Sequence, residues 1–262
     1  MDQEILPRKP FLWRLTTQGR SAHAVAARRA ERRLPLNRFR HILETAKEIA
    51  EINPRGLIDL LRAILRPMQS EYLLAVAELG QDAVTDIDAD VFFGQAAAGR
   101  MVRGVELDPN HFRLQLARDI VLPWAWNQQR YVNALATIGA SKGNPEDENV
   151  PHQGAWRMDA FNHVVTLWLP WGIGFVGGGN HSITAGILAA EGELIPTEVY
   201  DMGHLLDEVH CDGRHYIETA TGRLVDKVTC HRRAAAFELG RLMRDTGFPA
   251  FCEDSSRAKL SS

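Results

Sequence analysis

Apolar residues recur at helical spacing along the first third of the chain. After Asn37, a suitable N-cap residue, and before Pro54, one helical face carries Phe39, Ile42, Leu43, Ala46, Ile49 and Ala50. The same spacing predicts a second helix over 55–68 and a third over 70–80, which ends at Gly80. We therefore predict a helical subdomain over 37–110 that includes an acidic, irregular loop at 81–110.

The second half of the chain mixes strand-like and helical patterns. A strand over 120–124 precedes a helix over 127–139, which has Val132, Leu135 and Ile138 on its inner face and ends at Gly139. There follow a buried strand over 161–176, a glycine turn, a helix from about Ser182, a strand over 195–202, a strand pair turning at Thr221–Gly222, and a helix over 231–245. The predicted fold class is α+β, with a mixed α/β domain over 111–250 and a polar tail at 251–262.

Charge is distributed unevenly along the chain. The 262 residues carry a net charge of −3, but residues 1–47 hold 11 basic and 4 acidic side chains, so the remainder carries −10. A uniformly basic nucleic-acid coat is excluded, whereas a basic arm at 1–36 is not; its arginine-rich stretch 28–33 could form a short basic helix or a mobile arm. DNA binding through the basic residues of 8–40 therefore stays open.

The composition favours a globular protein of a reducing compartment. Apolar residues make up 45% of the chain, and the three cysteines have no close spacing. Asp2, Glu4 and later arginines interrupt every early apolar run, so we expect no export signal. The uncharged stretch 160–190 is broken by Pro170 and six glycines, which makes it a poor membrane helix. We predict a cytoplasmic protein without a membrane partner.

Several familiar constellations are incomplete in this sequence. Asp86, Asp88 and Asp90 alternate like the first ligands of a calcium loop, but Val91 and Ala97 replace its glycine and glutamate. The residues His163, His181, His204, His210, Asp159, Asp201 and Cys211 lack a tight metal-ligand spacing, and the nucleophile elbow of a Ser-His-Asp hydrolase is missing. No metal site is predicted. Five tryptophans between 124 and 171 are expected to fill the core, with one able to cover a nucleobase.

The glycine turn after the buried strand carries the most informative chemistry. Gly177, Gly178 and Gly179 let the backbone approach a ligand closely, and a helix begins just after them. Free N–H groups at a helix start, together with the side chains of Asn180, His181, Ser182 and Thr184, suit an anion such as phosphate. The spacing matches neither the P-loop nor the dinucleotide fingerprint. The alternative interpretation is a tight chain crossing with a hydrogen-bonded core histidine.

Residues 117–205 resemble the ParB/sulfiredoxin-like fold family. The unit FVGGGNHSITAGILAAEGELIPTEVYDM is similar to the family's strand, boxed turn, helix and Ile-Pro-Val-like strand, and IVLPWAWNQQRYVNALATIG is similar to its earlier element. The resemblance implies that the turn binds a nucleoside triphosphate with Mg²⁺ and puts Arg130 in the family's arginine position. The resemblance implies that the predicted domain over 111–250 has the ParB/sulfiredoxin-like fold.

Two departures from the family pattern affect the expected chemistry. Ser182 stands where many members have arginine, and Asn180 replaces the cysteine of sulfiredoxin or the glutamate of partition proteins and serine kinases. Asparagine cannot act as a base, so catalysis is in doubt. No helix-turn-helix motif is evident after Leu205.

Three functional hypotheses follow from the sequence. The first is a protein that binds a nucleotide or other phosphorylated ligand and associates with DNA in a mobile-element system, an idea that rests on fold analogy. The second is an enzyme of phosphoryl transfer or nucleotide hydrolysis, with His181 as the catalytic residue. The third is a scaffold without catalysis.

Overall fold

The computed structural model describes residues 17–81, 87, 89–143 and 149–251, with side chains described from residue 34 onward except at Met101. The first part of the predicted basic arm, the aspartates at 86 and 88, and the polar tail beyond 251 lie outside the described residues. The α-helices are α1 (Thr17–Ile52), α2 (Leu57–Leu79), α3 (Ala89–Phe92), α4 (Gln128–Thr137), α5 (Asn180–Ala189), α6 (Gly203–Glu208) and α7 (His231–Asp245).

Ten short strands form three sheets in the described part of the chain. They are β1 (Val105–Leu107), β2 (Leu114–Gln115), β3 (Ile120–Leu122), β4 (Val165–Leu169), β5 (Ile173–Val176), β6 (Glu193–Leu194), β7 (Glu198–Asp201), β8 (Val209–Cys211), β9 (His215–Glu218) and β10 (Leu224–Lys227). The α+β prediction is confirmed. The predicted strand near 198–201, the strand pair turning at Thr221–Gly222 and the C-terminal helix are all present.

Helix α1 begins far earlier than the sequence pattern predicts. Asn37 lies inside it rather than capping it, and the helix passes through Pro35 as well. Leu36 and Phe39 are buried, and both pack close to Gly213, whose backbone has a φ of +86°. These contacts hold the proline turn in place, so the boundary between the predicted arm and the helical subdomain falls within one continuous helix.

Helix α2 replaces the two predicted helices at 55–68 and 70–80. Its buried face runs without interruption across Pro67, from Leu57 to Val76. Packing along this continuous apolar face outweighs the hydrogen bond that proline removes. Buried Gln69, on the same face, donates from Nε2 to the backbone oxygen of Val121 at 2.6 Å and so covers an edge of the sheet.

The main sheet has five strands in the order β1-β7-β4-β5-β3. β3 pairs parallel with β5, β5 antiparallel with β4, β4 parallel with β7, and β7 antiparallel with β1. The predicted single strand over 161–176 is wrong, because the chain reverses between Leu169 and Ile173 to form the β4–β5 hairpin. The turn is buried and apolar, with Gly172 at a φ of +70° beneath Ala250, and so it carries no polar turn signal.

Six of the helices, all except α4, share one hydrophobic core with the main sheet, and this core extends from Leu36 to Ala250. Tyr131 of α4 belongs to a smaller cluster with Val76 and Ala125. Helix α7 joins the two predicted parts, since it packs against both α1 and α2. A Cβ on its Gly240 would lie 2.0 Å from Nε1 of Trp171, so the glycine gives this indole its place in the core. The predicted segments 37–110 and 111–250 thus have a common core.

Among the described residues, no helix combines the length and the apolar character needed to span a membrane.

Candidate functional site

The glycine turn crosses closely over the chain that enters β4. The N–H groups of Gly177 and Gly178 both donate to the backbone oxygen of Val164, at 2.9 and 3.2 Å. A Cβ on Gly178 would lie 2.7 Å from the oxygen of Asn162, and one on Gly179 would lie 2.3 Å from Cδ2 of His163. This crossing requires glycine, as the alternative interpretation from the sequence held, and it occupies the first two N–H groups that we expected to face a ligand.

Helix α5 starts two residues earlier than predicted. Gly179 is its N-cap residue, in the left-handed conformation at φ +72°, and Asn180 is its first residue. Because an α-helix has no internal acceptors for its first N–H groups, those of Asn180, His181 and Ser182 lack an intrahelical partner. The predicted polar side chains thus lie in the first turn of α5, whereas Thr184 is fully buried in its next turn.

Segment 124–127 lies against the start of α5 and leads into α4. The Trp124 N–H donates to Oδ1 of Asn180 at 2.6 Å, and the Asn127 N–H donates to Nε2 of His181 at 3.1 Å. The Asn127 side chain then caps α4 by accepting from the Arg130 N–H at 2.9 Å. These three bonds fix α4 beside α5.

The buried face of α4 differs from the predicted face. Tyr131, Ala134 and Thr137 are buried, whereas Val132 is 53% exposed. Helix α4 packs against α5 and, through Tyr131, against Val76 of α2, so these two neighbours determine which face is buried. Arg130 and Asn133 stay exposed and line the space beside α5.

A cleft of about 300 Å³, here called the α4–α5 cleft, lies between these helices. Its lining consists of Trp126, Arg130, Asn133, Ala134, Ile138, Gln153, Asn162, Gly179, Asn180, His181 and Ser182. The structure therefore brings five of the predicted site residues together: Arg130 and the four residues 179–182. Gly177, Gly178 and Thr184 do not line the cleft.

The charge of the α4–α5 cleft is positive. Among the described lining residues, Arg130 is the one ionised side chain and there is no carboxylate. Its guanidinium lies over the ring of Trp126, with Cζ 5.9 Å from the ring centroid, and forms no ion pair within the described part of the chain. Four side-chain amides, a serine hydroxyl and a histidine supply uncharged polar groups. Such a lining suits an anion with a polar remainder.

His181 is held as a neutral imidazole. Burial, followed by the charge of Arg130, lowers the pKa of His181 below its ordinary value. Since Nε2 accepts the Asn127 N–H, the neutral ring carries its proton on Nδ1. His181 is therefore available as a hydrogen-bond donor, while the nitrogen that a general base needs is already occupied.

A second histidine, His163, contacts the first turn of α5. The sequence pattern did not predict it as part of the phosphate site. It is 2% exposed and stacks on Trp156, with 4.9 Å between the ring centroids. Nδ1 accepts the Asp159 N–H at 2.9 Å, so the neutral ring donates from Nε2 to Oγ of Ser182 at 3.1 Å. Burial lowers the pKa of His163.

The tautomer of His163 argues against a serine nucleophile. A histidine that activates serine must accept the hydroxyl proton, whereas this ring nitrogen donates to the hydroxyl oxygen. The Ser182 proton is consequently left to donate elsewhere. His204 lies at a different place, 3.2 Å from the oxygen of Arg100. Within the described ranges, no group of three or more potential ligands could hold a metal ion.

The tryptophans divide as the sequence suggested. Trp156, Trp168 and Trp171 are buried in the core, and Trp124 is partly buried. Trp126 is 37% exposed at the rim of the α4–α5 cleft. It is therefore the indole placed to cover a flat ligand group.

A family model described as "Family of unknown function (DUF6710)" matches residues 19–249. The match covers most of the chain, which belongs to this family. No curated protein and no solved structure matches the chain.

Proposed function

We propose that this member of the DUF6710 family binds a phosphorylated ligand, a nucleotide, in the α4–α5 cleft and acts as a binding protein rather than an enzyme. The observation that carries the proposal is the position of Arg130, an unpaired cation among the described residues, beside the first turn of α5. The resemblance of residues 117–205 to the ParB/sulfiredoxin-like fold supports the nucleotide part of the proposal. The few, unpaired cysteines in the described part, Cys211 and Cys230, support a reducing, cytoplasmic location.

The phosphate contacts come from groups of known orientation. The first N–H groups of α5 and the positive end of its dipole favour a negative charge at the helix start. The Ser182 hydroxyl has its proton left to donate, because its oxygen already accepts from His163. Arg130 supplies the fixed charge that the family resemblance assigns to this position. Together these groups form a donor set with one cation.

The base of the nucleotide would lie on Trp126. The ring is partly exposed at the rim; the Arg130 guanidinium lies over it, and the His181 ring meets it edge-on with 6.0 Å between the ring centroids, so the base would take the remaining exposed part. Gln153 donates from Nε2 to Oγ1 of Thr137 at 2.9 Å, which leaves Oε1 to accept from a ligand. A stacked base would contribute about 1–3 kcal/mol, and one amide hydrogen bond about 0.5–1.5 kcal/mol.

The lining favours binding over catalysis. The nitrogen of His181 that would serve as a base accepts a backbone N–H, and no carboxylate of the described residues lines the cleft. Phosphoryl-transfer enzymes position their Mg²⁺ with a carboxylate or a similar oxygen ligand. The enzyme hypothesis therefore ranks second. Turnover of a nucleoside triphosphate that stops in His181→Ala would establish it instead.

Calorimetric titration of nucleotides against the wild-type chain tests the binding proposal. We expect Arg130→Ala to weaken binding by roughly 10- to 100-fold, as the loss of a charge-assisted hydrogen bond implies. Arg223→Ala is the matched control, because Arg223 forms an ion pair with Glu218 at 3.1 Å and is not part of the lining. Equal affinity of wild type and Arg130→Ala would refute the proposed site.

Association with DNA is a second candidate function. A second cleft lies beside Pro35 and Leu36 of α1, and its lining includes Arg214, His215 and Lys227. Burial, then the charges of Arg232 and Arg38, lower the pKa of His231, so both arginines act on this imidazole. The arginine-rich residues 28–33 continue α1 from this point, although their side chains lie outside the description.

Removal of residues 1–33, none of which is among the described core residues, tests the DNA hypothesis. We expect the full chain to bind duplex DNA with an affinity that falls steeply with salt, and the shortened chain to lose most of that affinity. DNA binding that is absent or independent of salt would contradict this candidate function.

A further inference from the structure

The charge and size of the α4–α5 cleft limit which phosphorylated ligand it can hold. Resting on the proposed function, we propose that the ligand carries a single phosphate group and binds without a divalent metal ion. The sequence resemblance points instead to a nucleoside triphosphate with Mg²⁺. The difference arises from the side chains that line the cleft.

The first argument is the balance of charge. Arg130 contributes one positive charge, and the lining residues that the structure describes offer no second cation. A phosphate monoester carries about −1.5 to −2 at neutral pH, which one arginine and hydrogen-bond donors can largely offset. Each further phosphate adds negative charge that nothing in this lining balances. A triphosphate would leave most of its charge uncompensated.

The second argument concerns the metal ion. Mg²⁺ is held in nucleotide sites by carboxylate and hydroxyl oxygens together with phosphate oxygens. The lining contains amide groups at Asn133, Gln153, Asn162 and Asn180 but no carboxylate among its described residues. The Asn180 oxygen is already used by the Trp124 N–H, and the Ser182 oxygen by His163. The two side-chain oxygens nearest the start of α5 are thus occupied.

The third argument is the volume. About 300 Å³ is the lower end of the range of small-molecule sites, roughly 300 to 1,000 Å³. Once a ring system lies at Trp126, the space that remains near Arg130 is small. One phosphate group fits in this remaining space near Arg130, with the amides of Asn133 and Gln153 facing the uncharged polar part of the ligand.

The test compares phosphate number and metal dependence in the full chain. Inorganic phosphate, the four nucleoside monophosphates and the matching triphosphates are titrated by calorimetry, each with and without Mg²⁺. We expect a monophosphate to bind at least tenfold more tightly than its triphosphate, and Mg²⁺ to leave the monophosphate affinity unchanged. A triphosphate that binds more tightly with Mg²⁺ and loses affinity in Arg130→Ala would overturn the single-phosphate inference but keep the site. Absence of binding by every phosphate compound would refute the proposed function itself.

A variant that adds a positive charge to the cleft tests the charge argument through ligand preference, which a purely structural role of the lining would not alter. Asn133 is exposed on α4 and lines the cleft, so Asn133→Lys adds a second cation there. We expect this variant to shift preference at least tenfold toward the triphosphate. Val132→Lys is the matched control, because Val132 is exposed on the same helix but is not part of the lining. An equal shift in both variants, or no shift in Asn133→Lys, would contradict the charge argument.

Discussion

The substitution Gly179→Ala isolates the close chain crossing that shapes the site. Gly179 has a φ of +72°, where alanine costs about 1–2 kcal/mol of strain. The new Cβ would also lie 2.3 Å from Cδ2 of His163, a buried ring that is stacked on Trp156. Overpacking of this kind costs about 1–3 kcal/mol more. We therefore expect the free energy of unfolding to fall by about 2–5 kcal/mol.

Gly222→Ala separates the strain from the clash. Gly222 has a φ of +70°, and a Cβ there meets nothing within 4 Å, so only the strain of about 1–2 kcal/mol applies. Urea unfolding followed by tryptophan fluorescence measures both variants, and the difference between their midpoints reports the clash. If the two variants lose equal stability, the crossing of Gly179 over His163 is not as described.

Three further substitutions test other parts of the structure. Gln69→Leu leaves the buried Val121 oxygen without its donor, and we expect the free energy of unfolding in urea to fall by about 1–3 kcal/mol. In the control Gln128→Leu, at an exposed position, the free energy of unfolding should change by no more than about 0.5 kcal/mol. Similar losses in both variants would contradict the contact between Gln69 and the edge of the sheet. Because the pKa of His163 is lowered in the folded state, the unfolded chain binds more protons, and the free energy of unfolding should fall as the pH drops below about 6.5. Unfolding measured over a range of pH should show a shallower fall in His163→Gln than in wild type. An unchanged slope would contradict the lowered pKa of His163. Lys227→Glu should reduce the salt dependence of DNA binding by about one unit of slope or more, and an unaltered slope would remove that surface from the DNA hypothesis.

Local sequence patterns were sufficient for the elements whose signals lie within one segment. The Thr221–Gly222 turn sits between two strand-like runs, and α7 carries a sustained helical period, so both were predicted correctly. The glycine turn, helix and strand around residues 177–201 were also predicted, apart from the first two residues of α5. Turn residues and periodicity are local properties, which is why these elements could be found.

Elements that depend on distant packing could not be predicted from local signals. Pro35 and Asn37 together indicate a helix start, but contacts with Gly213 keep the helix continuous there. The β4–β5 turn is buried beneath Ala250 and lacks polar residues; Pro170 and Gly172 are its local turn residues, and the single-strand prediction did not use them. The buried face of α4 depends on contacts with α5, about 50 residues later in the chain, and with Val76 of α2, about 55 residues earlier.

The site was predictable only in part for the same reason. The glycines and the residues after them pointed to the start of α5, and the resemblance to a known fold pointed to Arg130. The contacts of Asn162 and His163 with this turn arise because β4 pairs antiparallel with β5. Three consecutive glycines do indicate that another chain segment lies close, but they do not identify it. The use of the Gly177 and Gly178 N–H groups by Val164 follows from that pairing.

The most direct test of the central claim locates a bound monophosphate on the chain itself. Two-dimensional ¹H–¹⁵N NMR spectra of the full chain, recorded during titration with a nucleoside monophosphate, report each backbone amide separately. We predict saturable shifts at the amides of Gly179, Asn180, His181 and Ser182, which Arg130→Ala would strongly reduce. Shifts confined to other parts of the chain, or none at saturating ligand, would contradict phosphate binding in the α4–α5 cleft.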